Sequence, residues 1–398
     1  LKPLNRTASD IPPSGIRRFF DVAAQMRDVV SLGVGEPDFV TPWRVREAAI
    51  YALEKGCTTY TSNAGLPALR EAVAAYLAER YGVVYQPDGE IIITVGVSEG
   101  LDLALRALLN PGDEVVLTEP CYVSYDPGIR LAGGVPTAVE TSGHDGFRLH
   151  ADRIEQAVTP RTKAILLCFP SNPTGATQTR EDLQSVVDVA VKHDLYILSD
   201  EIYDRLTYEG THTCLASLPG ARERTILLNG FSKAHAMTGW RVGYTCAPRP
   251  ISELMLKIHQ YSMLCAPHVS QMAALEAVRN SEPDVQAMVE EYERRRRFFV
   301  QGLNRIGLQC HMPKGAFYAF PNITQTGLTS EEFAEKLLFE ERVAVVPGNV
   351  FGRGGEGHVR CSYATGIAQL EEALIRMERF VARFCAGITT RRLQEAAL

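Results

Sequence analysis

Through the middle of this chain, short apolar runs alternate with stretches in which apolar residues recur every three or four positions. EIIITVG (90–96), EVVLTEP (114–120), VPTAVE (135–140), KAILLCFP (163–170), LYILSDE (195–201), TILLNGF (225–231) and RVGYTCAP (241–248) read as seven short strands. Leu69, Val73, Tyr76 and Leu77 have helical spacing, as do GLDLALRALL (100–109) and residues 179–193. Runs buried on both faces and joined by helical crossovers predict an α/β architecture: a mostly parallel seven-stranded sheet covered by helices. Ligands then belong in the crevice beyond the carboxyl ends of the strands.

The rhythm is missing at both ends. The first 44 residues, with Pro12, Pro13, Pro37 and Pro42, read as an irregular arm. Past about residue 285 comes a long charged helix, EEYERRRRFFVQGLNRI. Short strands follow near 316–320, 342–347 and 358–363, with a last helix from about 367. Because 398 residues exceed what one core usually holds, two domains are expected. These are a large one over 45–285, and a smaller α+β one built from 1–44, including the arm, and 286–398.

Composition narrows the class. With 45% hydrophobic and 22% charged residues the chain is an ordinary globular protein. Net charge is −6, and the densest basic cluster, Arg294 to Arg297, is interleaved with Glu290, Glu291 and Glu293, so nucleic acid is not an expected partner. No apolar run approaches the roughly 18–20 residues that cross a bilayer, so no membrane partner is expected either. LKPLNRTASD has neither the basic nor the apolar region of a signal peptide. The nine cysteines form no C-x-x-C pair and no close Cys/His spacing, so neither a metal site nor a disulfide framework is expected. A reducing cytoplasm fits this usage.

The strongest chemical signal is NGFSKAHAMTGWRVGY (229–244). A lone lysine at a strand end is ordinarily a solvated surface charge. Here Ser232 and Arg241 are suited to holding a phosphate, while Gly230 and Gly239 let backbone approach, so Lys233 would sit beside a bound dianion. A lysine near a second cation and partly desolvated has a lowered pKa, as Schiff-base chemistry with an aldehyde requires. That chemistry points to pyridoxal phosphate. Asp200, just beyond the strand of DLYILSDEIY, is by itself more simply a helix cap, yet a cofactor pyridine needs a carboxylate at its nitrogen. Tyr203 stands three residues on. Asn172 in PSNPTG suits a ring hydroxyl, though Asn-Pro and Thr-Gly commonly mark only a turn. TVGVSEGLDLAL (94–105) is strand, glycine turn and helix, and a helix N-terminus offers free N–H groups to a phosphate.

Taken together, these segments resemble the class I aminotransferases of pyridoxal-phosphate fold type I. The similarity runs in order through SLGVGEPDF (31–39), YTSNAGLPALR (60–70), SNPTG, SDEIY, GFSK, KGAFY (314–318), VAVVPG (343–348) and HVRCSYA (358–364). It is greatest to the branch of aromatic and broad-specificity enzymes. The resemblance implies that Lys233 carries the cofactor covalently and that Asp200 pairs with its ring nitrogen. Asn172 and Tyr203 hold its hydroxyl, and Ser232 and Arg241, with Val97 and Ser98, its phosphate. Tyr122 falls where the family stacks an aromatic on the ring, and Tyr60 where a tyrosine reaches the neighbouring subunit's phosphate, which implies a homodimer. Arg360 corresponds to the clamp for the substrate α-carboxylate, helped by the Gly35 N–H and by Asn172. Pro13 to Phe20 is expected to close over the substrate.

The implied reaction is transfer of an amino group from an L-amino acid, with aromatic ones the first expectation, to a 2-oxo acid such as 2-oxoglutarate. Lys233, once freed, carries the proton. Two alternatives stand beside it: a β-lyase or related carbanion chemistry on the same fold, and a regulatory binding domain of aminotransferase type. The short N-terminal arm lacks the basic recognition helix that such a regulator needs.

Overall fold

A computed structural model describes residues 1–13, 15–16 and 25–395, the side chains of 385–395 excepted. In chain order its strands are β1 (Val30–Ser31), β2 (Ile91–Thr94), β3 (Glu114–Glu119), β4 (Val135–Glu140), β5 (Thr162–Cys168) and β6 (Tyr196–Asp200). They continue with β7 (Thr225–Gly230), β8 (Gly243–Cys246), β9 (Tyr318–Ala319), β10 (Val343–Ala344), β11 (Val346–Pro347) and β12 (Val359–Ser362). All seven apolar runs of the central region became strands of one sheet.

That sheet has the order β2-β8-β7-β6-β5-β3-β4. β8 runs antiparallel to both neighbours and the other pairings are parallel. Six carboxyl ends therefore share one rim, and the amino end of β8 joins them. β7 is buried at every position and β2 likewise, because helices cover both faces. At the edge, β4 is exposed at three of its six positions, and it carries the one proline among the strands of this sheet, Pro136, as an edge strand can.

A second layer is built from the chain ends. β11, β12 and β9 form an antiparallel sheet, and β1 pairs in parallel with β10. The arm is thus less irregular than its prolines suggest: it contains this strand and a short helix, Arg6–Asp10, capped by the Asn5 side chain. The charged helix begins earlier than its sequence pattern indicates and runs unbroken over Glu282–Arg305. Two of its arginines turn inward. Arg295 forms ion pairs with Asp38 and Glu291, and Arg296 with Glu209 and Glu293, so their burial is matched by opposite charge. Helices Arg249–Ser262 and His268–Asn280 complete the cover of the main sheet.

Among the described residues no helix is long and apolar enough to cross a membrane, and no three His, Cys, Asp or Glu side chains converge to hold a metal.

Candidate active site

The shared rim opens into a cleft of about 1120 Å³ between the two layers. Gly35, Val97, Ser98, Tyr122, Asn172, Asp200, Tyr203, Ser232, Lys233, Arg241 and Arg360 all line it. Their sequence separation is large, but all except Arg360, which lies within β12, sit at the end of a strand, shortly after one or just before one. Tyr60 does not line the cleft of its own chain and is 81% exposed. Of the segment Pro13 to Phe20, Pro13, Gly15 and Ile16 line the cleft, while Ser14 and residues 17–20 lie outside the described residues.

Lys233 follows the last residue of β7 by three positions and donates from Nζ to the carbonyl of Gly35 at 2.7 Å. Burial, then the nearby Arg360 and Arg241 guanidiniums, lower its ammonium from the ordinary 10.5 to about 8, against the opposing pull of Glu36 and Asp200. Asp200 ends β6 and is buried. Desolvation raises its carboxyl to about 6, although two donors oppose the shift. These are the Tyr125 hydroxyl at 2.8 Å from Oδ2 and the Ile202 N–H at 3.2 Å from Oδ1. A carboxylate so placed suits a cation that arrives dry. Burial pushes the Tyr203 phenol well above its usual range, so it stays a hydroxyl, and it shares a hydrogen bond of 2.8 Å with the hydroxyl of Tyr318.

Arg360, on β12, enters from the second layer and is 1% exposed. Its two terminal nitrogens donate to Asn172 Oδ1 at 2.8 Å and to the Gly33 carbonyl at 2.6 Å. Its guanidinium carbon lies 4.5 Å from the Tyr318 ring centroid and 5.0 Å from that of Phe351. Nε is buried without a partner, an expensive state for a charged group. A Cβ on Gly35 would fall 2.9 Å from the Tyr318 hydroxyl and within 4 Å of the Arg360 guanidinium, so glycine there keeps the approach open.

At the end of β2 the chain turns through Gly96 (φ +73°) into the helix Gly96–Leu108. A Cβ on Gly96 would lie 2.6 Å from Arg241 Nη2, and one on Gly243 would lie 3.0 Å from the Val97 nitrogen. Glycines therefore let a cation and a row of helix-start N–H groups close on the same small space, an arrangement that attracts a phosphate.

Two residues that the sequence motifs did not single out belong to this site. Tyr125 opens the helix Tyr125–Leu131 three residues after Tyr122, with ring centroids 5.6 Å apart, and that spacing past a strand end is the available signal. Tyr318 closes the KGAFY motif, but nothing local indicates that it meets Tyr203 and Arg360.

The chain matches the family described as aminotransferase class I and II over residues 27–377. It belongs to that family. YugH of Bacillus subtilis, assigned as an aminotransferase, is 56% identical over 95% of this chain and 98% of its own length. Aromatic-amino-acid aminotransferase 2 of Thermococcus litoralis is 46% identical, covering 93% and 96%. The solved aspartate aminotransferase of Thermus thermophilus with maleate superposes with a TM-score of 0.92 at 41% identity, covering 95% and 100%. The protein is thus a pyridoxal-phosphate-dependent aminotransferase of fold type I, in a family that binds this cofactor through a lysine, acts on small molecules and is generally dimeric. The residues in the cleft fit the cofactor: a buried carboxylate without a cation in contact, a softened lysine, and a glycine cradle beside an arginine.

Proposed function

We propose that this aminotransferase moves the amino group of an L-amino acid, aromatic for preference, to a 2-oxo acid such as 2-oxoglutarate, with Lys233 as the covalent anchor and proton carrier. The observation that carries the reading is the Lys233 amine, lowered to about 8 within a cleft that also holds Asp200, Arg241 and Arg360. When bound, pyridoxal phosphate supplies an aldehyde that condenses with amines and a protonated ring that draws electrons from the substrate Cα–H bond. Asp200 would hold the ring nitrogen, with Asn172 and Tyr203 at the ring hydroxyl and Tyr122 against the ring face. Ser232, Arg241, Val97 and Ser98 would hold the phosphate. Arg360, with the Gly35 N–H and Asn172, would grip the substrate α-carboxylate and orient Cα toward Lys233. Lys233 Nζ then takes the Cα proton and carries it during the transfer.

An aromatic donor is supported by the apolar side chains of Ile11, Ile16, Leu101, Leu131 and Val350 in the cleft, and by the likeness to the Thermococcus enzyme. The likeness to aspartate aminotransferases keeps acidic donors in the comparison. The exposure of Tyr60, together with that of Tyr261 and Met263, supports a homodimer in which Tyr60 reaches the partner's phosphate. The same reading takes 45–285 as the cofactor-binding domain and 1–44 with 286–398 as the smaller one. It also places the protein in the cytoplasm, where free thiols such as Cys57 and Cys121 persist.

Borohydride reduction of the holoenzyme followed by peptide mapping should find the label on Lys233. A panel of amino donors with 2-oxoglutarate, ranked by kcat/KM, should give oxo acid and glutamate, with aromatic donors leading. Label on another lysine, or release of ammonia and pyruvate in place of transfer, would sink the proposal.

A further inference from the structure

Within the motif TVGVSEGLDLAL (94–105), one residue past the cleft-lining Ser98, Glu99 forms a buried hydrogen-bonded pair with His259, and neither member lines the cleft. Glu99 is 8% exposed and His259 is fully buried. They lie 160 residues apart in sequence, with His259 Nδ1 at 2.6 Å from Glu99 Oε1. The other oxygen of Glu99 reaches back four residues and accepts from the Val95 N–H at 2.5 Å. Val95 is the residue before the helix Gly96–Leu108. One carboxylate therefore ties the entry of that helix to a post on another, His259 in the last turn of Arg249–Ser262. The post is firmly set: the His259 carbonyl accepts from the N–H groups of Met263 and Leu264, each at 3.0 Å.

The cost of this pair makes it informative. His259 Nε2 is buried without a partner, and two polar side chains are dehydrated where well-packed apolar ones would serve packing alone at least as well. What an apolar pair could not do is hold the Val95 N–H and so fix the direction of the Gly96 turn. A helix N-terminus binds an anion only if its free N–H groups converge on it.

We infer that Glu99 and His259 are positioning residues that aim the start of helix Gly96–Leu108 at the cofactor's phosphate. This rests on the reading of that helix start as the phosphate site. The pair acts through the backbone and touches neither cofactor nor substrate. Its effect is therefore confined to ligands that carry a phosphate.

The test uses the full-length apoenzyme, titrated separately with pyridoxal phosphate and with pyridoxal, which has the same aldehyde and ring but no phosphate. Glu99→Ala should weaken pyridoxal phosphate about tenfold, the worth of a lost hydrogen bond to a charged group, and leave pyridoxal within about twofold. Glu99→Gln, which keeps an acceptor for the Val95 N–H, should recover most of the loss. If Glu99→Ala does not fold, His259→Leu carries the same expectation. Equal losses for both ligands, or no loss for either, would overturn the inference by making the pair merely structural. A wild type that held pyridoxal as tightly as its phosphate would instead remove the phosphate reading, and this inference with it.

Discussion

The Tyr125 hydroxyl donates to Asp200 Oδ2 at 2.8 Å, deep inside the protein and across 75 residues of sequence. It steadies a carboxylate that burial would otherwise leave protonated, since desolvation is what lifts Asp200 toward about 6. Tyr125→Phe keeps the ring and removes the donor. The Asp200 carboxyl should then rise further, and cofactor affinity at pH 7 should fall about tenfold, as for a hydrogen bond to a charged group. Absorbance titration of the apoenzyme reads the change, and an unchanged affinity would show that Tyr125 only fills space.

Asp200 itself gives a stability test. Because its pKa is raised above the ordinary 3.8, its contribution to apoenzyme stability is complete below 3.8 and is lost as pH rises through about 6. Above that pH the cofactor-free protein carries a buried charge without a cation in contact. Asp200→Asn should therefore melt higher than wild type without cofactor at pH 8, by something on the order of 1–2 kcal/mol, and not at pH 4. Added pyridoxal phosphate should stabilise wild type more than the variant. Thermal melts at both pH values check this.

For Lys233 the neutral amine is the reactive form. A pKa lowered to about 8 predicts that the rate of cofactor capture by the apoenzyme climbs roughly tenfold per pH unit below 8 and levels off above it. Stopped-flow absorbance measures the profile. A climb continuing to pH 10 would mean the amine is not desolvated in solution.

Arg360→Lys keeps the charge but loses the planar fork and its approach to the Tyr318 and Phe351 rings. Asn172 and the Gly33 carbonyl would each lose a donor. We expect kcat/KM for amino acids to fall on the order of 100-fold, with KM bearing much of it, while pyridoxal phosphate affinity changes little. A parallel collapse of cofactor binding would argue for a structural role.

Gly96→Ala tests the cradle. At φ +73° alanine is strained by about 1–2 kcal/mol, and its Cβ would crowd Arg241 Nη2. Cofactor affinity should drop about tenfold, whereas Gly56→Ala, equally positive in φ but open in space, should cost stability alone.

How much of this could be read without a structure follows from the range of the interactions. The runs that became β2 to β8 were legible because strands buried on both faces must be apolar throughout. The chemistry at their ends was legible because Asp200, Asn172 and Lys233 each lie within a few residues of a strand end, in short motifs whose turns are set locally. The sequence pattern does not predict the helices Arg249–Ser262 and His268–Asn280, nor the strand in the arm, whose partner β10 lies more than 300 residues away.

Determined by sequence alone, then, were the sheet, the rim and the candidate groups gathered on it. Tertiary structure decided their readiness. That Asp200 is steadied by Tyr125, that Tyr203 meets Tyr318, that Glu99 leans on His259 and that Lys233 is softened all depend on contacts between distant segments. Burial and charge act through space, and no local pattern records which side chains the closed fold will bring within a hydrogen bond of one another.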